Sequence, residues 1–392
     1  MDNGQLKIQL SSRTERVQEY YFSHKLRQID EMRKAGADII NLGIGSPDLP
    51  PSPAAIDKLS EASKLPNAHG YQSYNGIPAL RSAFAGWYKK YFNVDLNPDN
   101  EILPLIGSKE GIMHISMAFV NEGDEVLVPN PGYPTYTSVS KLVGGKIRFY
   151  NLHADRRWHP DLDELENSDL SRVKLMWINY PHMPTGAKGS KKLFGELVTF
   201  AHKHSILLCN DNPYSFILNN EHLSILSVDG AKEVALELNS MSKSHNMAGW
   251  RIGMVAGHKE YISGIIKVKS NMDSGMFQPM QSAAIEALNS PMEWYQSINK
   301  IYGKRRELIE QIMNTLQCTF DANQTGLFLW GKIPAKYSSG EQLTEELLHK
   351  AHIFITPGMV FGDQGDEYIR ISLCANEHML NKAIKRLSAF YP

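Results

Sequence analysis

Long apolar runs and an excess of charge of one sign are both missing from this chain of 392 residues. No apolar run approaches the ~18 residues that a membrane-spanning helix needs, and the polar start of the chain is unlike a signal peptide. The 41 basic and 42 acidic residues give a formal net charge of -1, which favours neither nucleic acid nor an anionic membrane as a partner. These absences predict a soluble, cytoplasmic protein.

Cysteine is also scarce, and this bears on disulfides and metals. The three cysteines, Cys209, Cys318 and Cys374, are odd in number and far apart, so each is predicted to be a buried thiol rather than half of a disulfide. The closest pair of the 14 histidines, His202 and His204, lies on a helical segment and points in different directions. No Cys or His set has the spacing of metal ligands, so we predict no metal site.

Short apolar runs alternate with helical patterns along the first two thirds of the chain, which predicts an α/β fold with a mostly parallel sheet. The runs that we interpret as strands cover residues 101–106, 125–128, 146–150, 174–178, 206–210, 234–238 and 253–257. Helical spacing is found over residues 111–120, 136–143 and 192–204. Polar residues follow several of these strands, at the edge where open α/β sheets bind their ligands.

The pattern changes near residue 291, where a charged amphipathic helix over 293–316 precedes short strands at 326–331 and 368–373. We therefore predict three parts: an N-terminal segment, 1–40, that packs with the small domain, a large domain, 41–290, and a smaller α+β domain, 291–392.

The most informative stretch is 240–253, which places Lys243 among hydroxyls, with Arg251 eight residues later. A single lysine in a polar loop is most often a solvated surface charge. A lysine that is partly desolvated near another cation is instead easily deprotonated and can form an imine. Because Ser240 and Arg251 offer donors suited to a phosphate, the stretch suggests pyridoxal 5'-phosphate as a cofactor.

Two strand ends carry further candidates. Ser108 and Lys109 follow the first strand in a small-residue turn that opens a helix, where free N–H groups favour an anion; the alternative is an ordinary helix with Ser108 as its cap. Asp211 and Tyr214 follow the fifth strand, in a composition that is common in turns. Beside a pyridine ring, however, the acid would pair with the ring nitrogen and the tyrosine with the ring oxygen.

Two more positions admit both a structural and a functional interpretation. Tyr133 is either a packed turn residue or an aromatic that stacks on a flat cofactor. Arg370 lies inside an apolar strand, where a buried guanidinium requires a partner. That partner is either an internal Asp or Glu, or the α-carboxylate of a substrate held by two hydrogen bonds.

These motifs, in this order over residues 41–372, resemble the class I/II aminotransferases of the fold type I pyridoxal-phosphate enzymes. The resemblance implies a three-layer large domain, a smaller α+β domain and a set of cofactor-binding residues: Tyr71, Ser108, Lys109, Tyr133, Asp211, Tyr214, Ser240, Lys243 and Arg251. It makes Lys243, Asp211 and Tyr214 catalytic, and it assigns Gly45 and Arg370 to the substrate carboxylate. Tyr71 matches a tyrosine that reaches the phosphate of the neighbouring subunit, which implies a homodimer.

One substrate-binding position departs from the family pattern. The family loop usually reads Asn-Pro-Thr-Gly, and its asparagine donates to the phenolic oxygen of the cofactor near the substrate carboxylate. Here the position is Met183. A thioether has no N–H to donate, which leaves Tyr214 to serve that oxygen unless His182 or Asn179 compensates.

The resemblance implies a ping-pong exchange of an amino group between an L-amino acid and a 2-oxo acid, with Lys243 as the general base. Stretches 16–22 and 269–278 look like those of bacterial enzymes for LL-diaminopimelate, aspartate or alanine. A pyridoxal-phosphate-dependent carbon–sulfur β-lyase is the main alternative, because removal of the Cα proton also permits elimination. A non-catalytic binding protein, like the aminotransferase-like domain of some transcription regulators, is disfavoured, since about 40 residues before Gly43 leave no room for a DNA-binding domain.

Overall fold

The computed structural model describes residues 8–391 and has an α/β architecture built on a seven-stranded sheet. The described residues form twelve strands in three sheets, of two, three and seven strands. They are β1 Ile40–Asn41, β2 Ile102–Leu105, β3 Glu125–Asn130, β4 Lys146–Asn151, β5 Val173–Ile178, β6 Leu207–Asp211, β7 Ala235–Ser240, β8 Gly253–Gly257, β9 Phe328–Lys332, β10 Ile353–Phe354, β11 Thr356–Pro357 and β12 Tyr368–Ser372. All seven apolar runs between residues 101 and 257 are strands, β2 to β8, so the predicted fold class is confirmed.

The large sheet has the strand order β2-β8-β7-β6-β5-β3-β4. The five strands from β7 to β4 are parallel, whereas β8 runs antiparallel to both β7 and β2. Consequently β2 points the same way as the parallel strands, and its carboxyl end lies at the same edge. This edge is where open α/β sheets bind ligands.

The sheet separates two hydrophobic cores. Along β5, Leu175 and Trp177 pack into one core, whereas Met176 packs into the other, because successive side chains of a strand point to opposite faces. A sheet that is covered on both faces reads as continuous apolar runs, which is why its strands were recognisable in the sequence.

The helices are α1 Ser12–Glu15, α2 Tyr21–Lys34, α3 Pro53–Ala62, α4 Pro78–Phe92, α5 Ser108–Phe119, α6 Pro134–Leu142, α7 Leu162–Glu166, α8 Lys191–His204, α9 Ala231–Val234, α10 Met241–Ser244, α11 Lys259–Lys269, α12 Gln278–Leu288, α13 Met292–Thr315, α14 Gly340–Glu346 and α15 Glu377–Phe390. The predicted helices differ from these by at most three residues at either end. Within residues 8–391, no helix combines the length and the apolar character that crossing a membrane requires.

The C-terminal part has a core of its own, which includes the buried faces of α13, α15 and the antiparallel sheet β11-β12-β9. The N-terminal segment packs on this core: Ile29 is one of its members, β1 pairs with β10, and Lys25 Nζ lies 2.5 Å from Glu345 Oε1. The exact domain limits stay a prediction, and residues 1–7 of the N-terminal segment lie outside the described residues.

The cysteine prediction is confirmed, since Cys209, Cys318 and Cys374 are all buried and free.

One polar cluster lies outside the cavity described below. Ligand atoms of Glu110, His114 and Asp273 lie within 4.8 Å of one another. The ammonium of Lys269 lies 2.9 Å from Asp273 Oδ1 and supplies the positive charge there. We therefore interpret the cluster as an ion-pair group, and the prediction on metals stays as it was.

Candidate active site

A cavity of about 620 Å³ lies at the carboxyl edge of the large sheet and is closed on its other side by residues of the C-terminal part. Eleven of the twelve predicted site residues line it: Gly45, Ser108, Lys109, Tyr133, Met183, Asp211, Tyr214, Ser240, Lys243, Arg251 and Arg370. The twelfth, Tyr71, is 94% exposed on the surface of the single chain. With four basic side chains and one acidic side chain in its lining, the cavity is suited to anions.

Lys243 is carried by the short helix α10, which follows the buried strand β7 directly. The hydroxyl of Ser240 caps this helix by accepting from the N–H of Ser242 at 3.2 Å. The ammonium of Lys243 donates to the main-chain oxygen of Gly45 at 2.5 Å. Burial lowers the pKa of Lys243, and the charges of Arg370 and Arg251 act in the same direction. The lysine is therefore held where its neutral, nucleophilic form is more accessible than in water.

Gly107 and Arg251 form a cradle at the start of α5. The helix begins at Ser108 with Gly107 as its N-cap residue, so the expectation that Ser108 caps it is wrong. Gly107 has a φ of +84°, and a Cβ there would lie 2.2 Å from a guanidinium nitrogen of Arg251. Only a glycine allows this close approach. Together with Ser242 Oγ, 3.4 Å from Arg251, the helix N-terminus and the guanidinium make a site for a phosphate-like anion.

Asp211 ends strand β6 and is buried with one half of its carboxylate unsatisfied. Its Oδ2 accepts from the hydroxyl of Tyr136 at 2.9 Å, whereas Oδ1 has no donor among residues 8–391. Burial raises the pKa of Asp211 to about 6, and the hydrogen bond from Tyr136 opposes that shift. A buried carboxylate oxygen without a donor is costly, so this site favours a ligand that brings an N–H or a positive charge.

The sequence did not identify Tyr136, because its ring lies in the core and only its hydroxyl reaches Asp211. The ring stacks on Trp177 at 5.0 Å with an interplanar angle of 3°. Its one sequence signal is its position three residues after Tyr133, in a helix that begins at Pro134. That spacing alone does not say which acid it meets.

Arg370 lies on β12 with 4% of its surface exposed, and no Asp or Glu in residues 8–391 pairs with it. Its Nη2 donates to the main-chain oxygen of Gly43 at 2.9 Å, its Nη1 lies 3.3 Å from the sulfur of Met183, and its Nε has no acceptor. Burial lowers the pKa of Arg370 to about 10. Of the two partners considered from the sequence, the internal carboxylate is therefore wrong for the described residues.

Aromatic rings surround this guanidinium, and the sequence did not identify them either. The guanidinium carbon lies 3.9 Å from the ring centre of Phe328 and 4.6 Å from that of Phe361, which stabilises the cation by cation–π attraction. Phe328 also explains Gly45, since a Cβ at that position would lie 2.3 Å from its ring.

The loop after β5 places Met183 in the lining of the cavity. Two polar residues near Met183 in sequence, Asn179 and His182, form hydrogen bonds with other parts of the chain. Asn179 accepts from the N–H of Met183 at 2.8 Å and donates to the main-chain oxygen of Asp211. His182 forms a hydrogen bond with Thr185 at 2.8 Å and does not line the cavity. Burial lowers the pKa of His182 to about 3, so its ring is neutral. In this arrangement His182 does not reach the cavity, and the amide of Asn179, which lines it, is bonded to the main chain of Asp211 and Met183.

Lys109 lies at the opening of the cavity. Its ammonium lies 5.1 Å from the centre of the Tyr20 ring. It lines both the cavity and an outer groove of about 720 Å³, as do Tyr20 and Ser23. Lys109 therefore lines the same cavity as Arg370 and also borders the outer groove.

Three comparisons with known proteins agree on the kind of protein that this chain resembles. The family model for aminotransferase class I and II matches residues 37–387. The LL-diaminopimelate aminotransferase of Dehalococcoides mccartyi is 40% identical over 385 residues, which cover 98% of this chain and 99% of that protein. The apo structure of BacF from Bacillus subtilis superposes with a TM-score of 0.94 at 33% identity, over 99% of both chains. An aspartate aminotransferase mutant from Thermus thermophilus has a TM-score of 0.90 at 25% identity, covering 97% of this chain and 99% of that chain.

Proposed function

Because this chain belongs to the class I and II aminotransferases, a family that depends on pyridoxal phosphate, we propose that it transfers an amino group from LL-diaminopimelate to a 2-oxo acid. The observation that carries this proposal is that Lys243 and Arg370 line the same cavity. No carboxylate of residues 8–391 pairs with the buried arginine. A substrate α-carboxylate satisfies it.

Pyridoxal 5'-phosphate fits the side chains of the cavity. The unsatisfied Oδ1 of Asp211 would accept from the ring nitrogen, and Tyr214 would serve the phenolic oxygen. Arg251 and the start of α5, with Ser108 and Ser240, would hold the phosphate. When bound, the cofactor supplies an electron sink for the charge that develops at the substrate Cα.

Residues of the chain supply the other functions that the reaction needs. Lys243, whose pKa is lowered by burial, acts as the general base that removes the Cα proton and later returns it. Arg370 fixes the substrate carboxylate so that the Cα–H bond faces Lys243. The aromatic rings around Arg370 exclude water and strengthen that ion pair. Asp211 would pair with the ring nitrogen of the bound cofactor and hold it protonated.

The preference for LL-diaminopimelate rests on the relatives and on the charges of the cavity. Arg251 is assigned to a phosphate and Arg370 to an α-carboxylate. Lys109, which the sequence assigned to the cofactor phosphate, also lines the outer groove, and we propose that it instead receives a third anionic group. LL-diaminopimelate carries a second carboxylate at its far end, whereas alanine does not. The relatives at 40% identity are named for this substrate.

We also propose that the chain acts as a homodimer in the cytoplasm. Tyr71 is exposed on the single chain, as expected of a side chain that reaches the phosphate site of a partner subunit. Three buried free thiols are compatible with a reducing compartment. Size-exclusion chromatography with light scattering would measure the mass, and a monomer with full activity would contradict the dimer.

The experiment that tests the reaction is a screen of half-reactions. Protein loaded with cofactor is mixed with single amino acids, and the loss of the visible absorbance band ranks the donors. We expect LL-diaminopimelate to rank first and Lys243→Ala to lose the response and ~10³-fold or more in turnover. Lys243→Arg, which keeps the charge, separates lost chemistry from lost folding.

Two outcomes would change the proposal. Release of pyruvate and ammonia from a cysteine-type substrate without any 2-oxo acid would favour the β-lyase.

In Lys109→Ala, the preference for LL-diaminopimelate over alanine should fall about tenfold, because one charge-assisted contact is lost. An unchanged preference would remove Lys109 from the substrate site while leaving the aminotransferase assignment intact.

A further inference from the structure

The thioether of Met183 lies against the guanidinium of Arg370 at the substrate end of the cavity. We propose that Met183 is a site of oxidative modification: hydrogen peroxide converts its thioether to a sulfoxide, whose oxygen then occupies Arg370 in place of a substrate carboxylate. This inference rests on the proposed role of Arg370 as the carboxylate receptor.

The contact between the two side chains is the first support. Arg370 Nη1 lies 3.3 Å from the sulfur of Met183, and Arg370 Nε has no acceptor among residues 8–391. A thioether is a weak acceptor, so this buried guanidinium is poorly satisfied. A sulfoxide is polar and carries an oxygen that accepts hydrogen bonds strongly. Oxidation at this position therefore turns a weak contact into a strong one.

Access of peroxide to the sulfur is the second support. Met183 is 6% exposed overall, but it lines the cavity, and it is the one methionine in the described lining. Cys374 is buried in the same hydrophobic core as Met183, and burial raises its thiol pKa. Because the thiolate is the reactive form, Cys374 is the poorer target for peroxide.

The reaction is balanced with peroxide as the sole oxidant. A sulfur lone pair of Met183 attacks one peroxide oxygen, an S–O bond forms and the O–O bond breaks. The departing oxygen takes the remaining proton of the attacked oxygen and leaves as water. Sulfur loses two electrons, and the peroxide is reduced by two.

The modification has a distinct effect on function. The sulfoxide oxygen competes with a carboxylate for Arg370 and leaves the cofactor contacts of Lys243, Asp211 and Arg251 in place. We expect about a tenfold weaker binding of carboxylate ligands, which is the loss of one hydrogen bond to a charged group. The visible band of the holoenzyme is retained. A dicarboxylate bound at Arg370 covers the sulfur and slows its oxidation.

The test exposes the holoenzyme to hydrogen peroxide with and without glutarate, a dicarboxylate that has no amino group to transfer. Peptide mass spectrometry measures the added oxygen on Met183, and calorimetry measures glutarate affinity before and after treatment. We expect oxidation at Met183 that glutarate slows, and the tenfold loss of affinity. Both readouts stay informative if the protein fails to transaminate, so failure of the proposed function is seen separately.

Matched variants assign the effect to one residue. In Met183→Leu the glutarate affinity should be the same before and after peroxide. Met117→Leu, which removes a methionine that is exposed on α5, should lose affinity on treatment just as the wild type does. Cys374→Ser should also behave as the wild type. The proposal is overturned if Met183 oxidises without weakening glutarate, if it resists peroxide while Met117 oxidises, or if the Cys374→Ser variant alone is protected.

Discussion

Two arginines are buried in the C-terminal part of this molecule, and their surroundings differ in one respect. Arg305 is 2% exposed and holds both oxygens of Asp48, at 2.6 and 2.8 Å, and the main-chain oxygen of Leu373 at 3.1 Å. Arg370 is almost as buried but meets a thioether, a carbonyl and aromatic rings. The fold supplies a carboxylate to the first arginine and none, within residues 8–391, to the second.

The same contrast separates two buried carboxylates on neighbouring strands. Glu237 accepts hydrogen bonds from Tyr88 at 2.9 Å, from Asn210 at 2.9 Å and from the N–H of Ile225 at 3.0 Å. Asp211 has one hydrogen bond from Tyr136, and its second oxygen has no donor in the described chain. In both pairs the group that has more polar partners in the fold lies away from the cavity, although Nε of Arg305 also has no acceptor within hydrogen-bond distance among residues 8–391. The incompletely satisfied group lines it, which is the pattern that a binding site requires.

Replacing Arg370 tests this contrast most strongly. In Arg370→Ala we expect kcat/KM for amino acid donors to fall ~10²–10³-fold, because a buried charge-assisted contact to the substrate is lost. The visible band of the holoenzyme should persist, and the free energy of unfolding should hold or rise, since no internal carboxylate loses its partner. Steady-state kinetics and urea unfolding measure both. A large loss of stability with unchanged kinetics would make Arg370 a structural residue.

The pH dependence of stability tests the unsatisfied oxygen of Asp211. Burial raises its pKa to about 6, above the ~3.9 of an unfolded Asp, so the folded cofactor-free protein binds that proton more tightly than the unfolded chain does. The stabilisation is complete below pH ~4 and is lost as the pH rises to about 6, which costs up to about 3 kcal/mol. Urea unfolding at several pH values should show a smaller decline in Asp211→Asn. Equal declines in both proteins would place the titration elsewhere.

Replacing Arg305 tests the other member of the arginine pair. Arg305→Ala should lower the free energy of unfolding by about 2 kcal/mol. This value lies below that of a fully buried pair because the Asp48 side chain is 33% exposed. A double-mutant cycle with Asp48→Ala measures the coupling between the two side chains. If Arg305→Ala left the free energy of unfolding unchanged, the interpretation of Arg305 as a structural ion-pair residue, in contrast to Arg370, would be wrong.

The smallest expected effect concerns Met183. In Met183→Asn an amide N–H becomes available to the phenolic oxygen of the bound cofactor and stabilises its negative charge. The nitrogen of Lys243 then holds its proton less tightly, so the visible band should titrate at a lower pH, by at most about one unit. A visible pH titration of both holoenzymes decides this. An unchanged or higher midpoint in the variant would reject this prediction.

Much of the fold and of the candidate site could be predicted from local sequence. Apart from the edge strand β4, the strands of the large sheet are mostly buried and read as apolar runs. Asp211 ends β6, and Lys243 lies three residues after the end of β7. A short distance along the chain from a strand end is enough to place a residue at the ligand-binding edge. The order of the polar motifs then indicates the family.

What could not be predicted depends on contacts between distant segments. Phe328 and Phe361 look like ordinary core residues in the sequence, and only the tertiary fold brings them to Arg370. Ser108 has the chemistry of a helix cap, but it is the first residue of the helix, and the N-cap residue is Gly107, which has a positive φ and lies beside Arg251. The role of Tyr71 needs a second subunit, so a single chain leaves it a prediction.

The main chain of one short segment holds two cations of the cavity: Gly43 accepts from Arg370, and Gly45 accepts from Lys243. A ligand that binds either cation therefore exchanges with a peptide carbonyl rather than with bulk solvent. The stretching frequency of a carbonyl depends on the hydrogen bonds that it accepts. With isotope labels at these two carbonyls, infrared spectroscopy would report ligand binding as a shift in carbonyl stretching frequency. The Gly43 band would report on the carboxylate end of the site, and the Gly45 band on the lysine end.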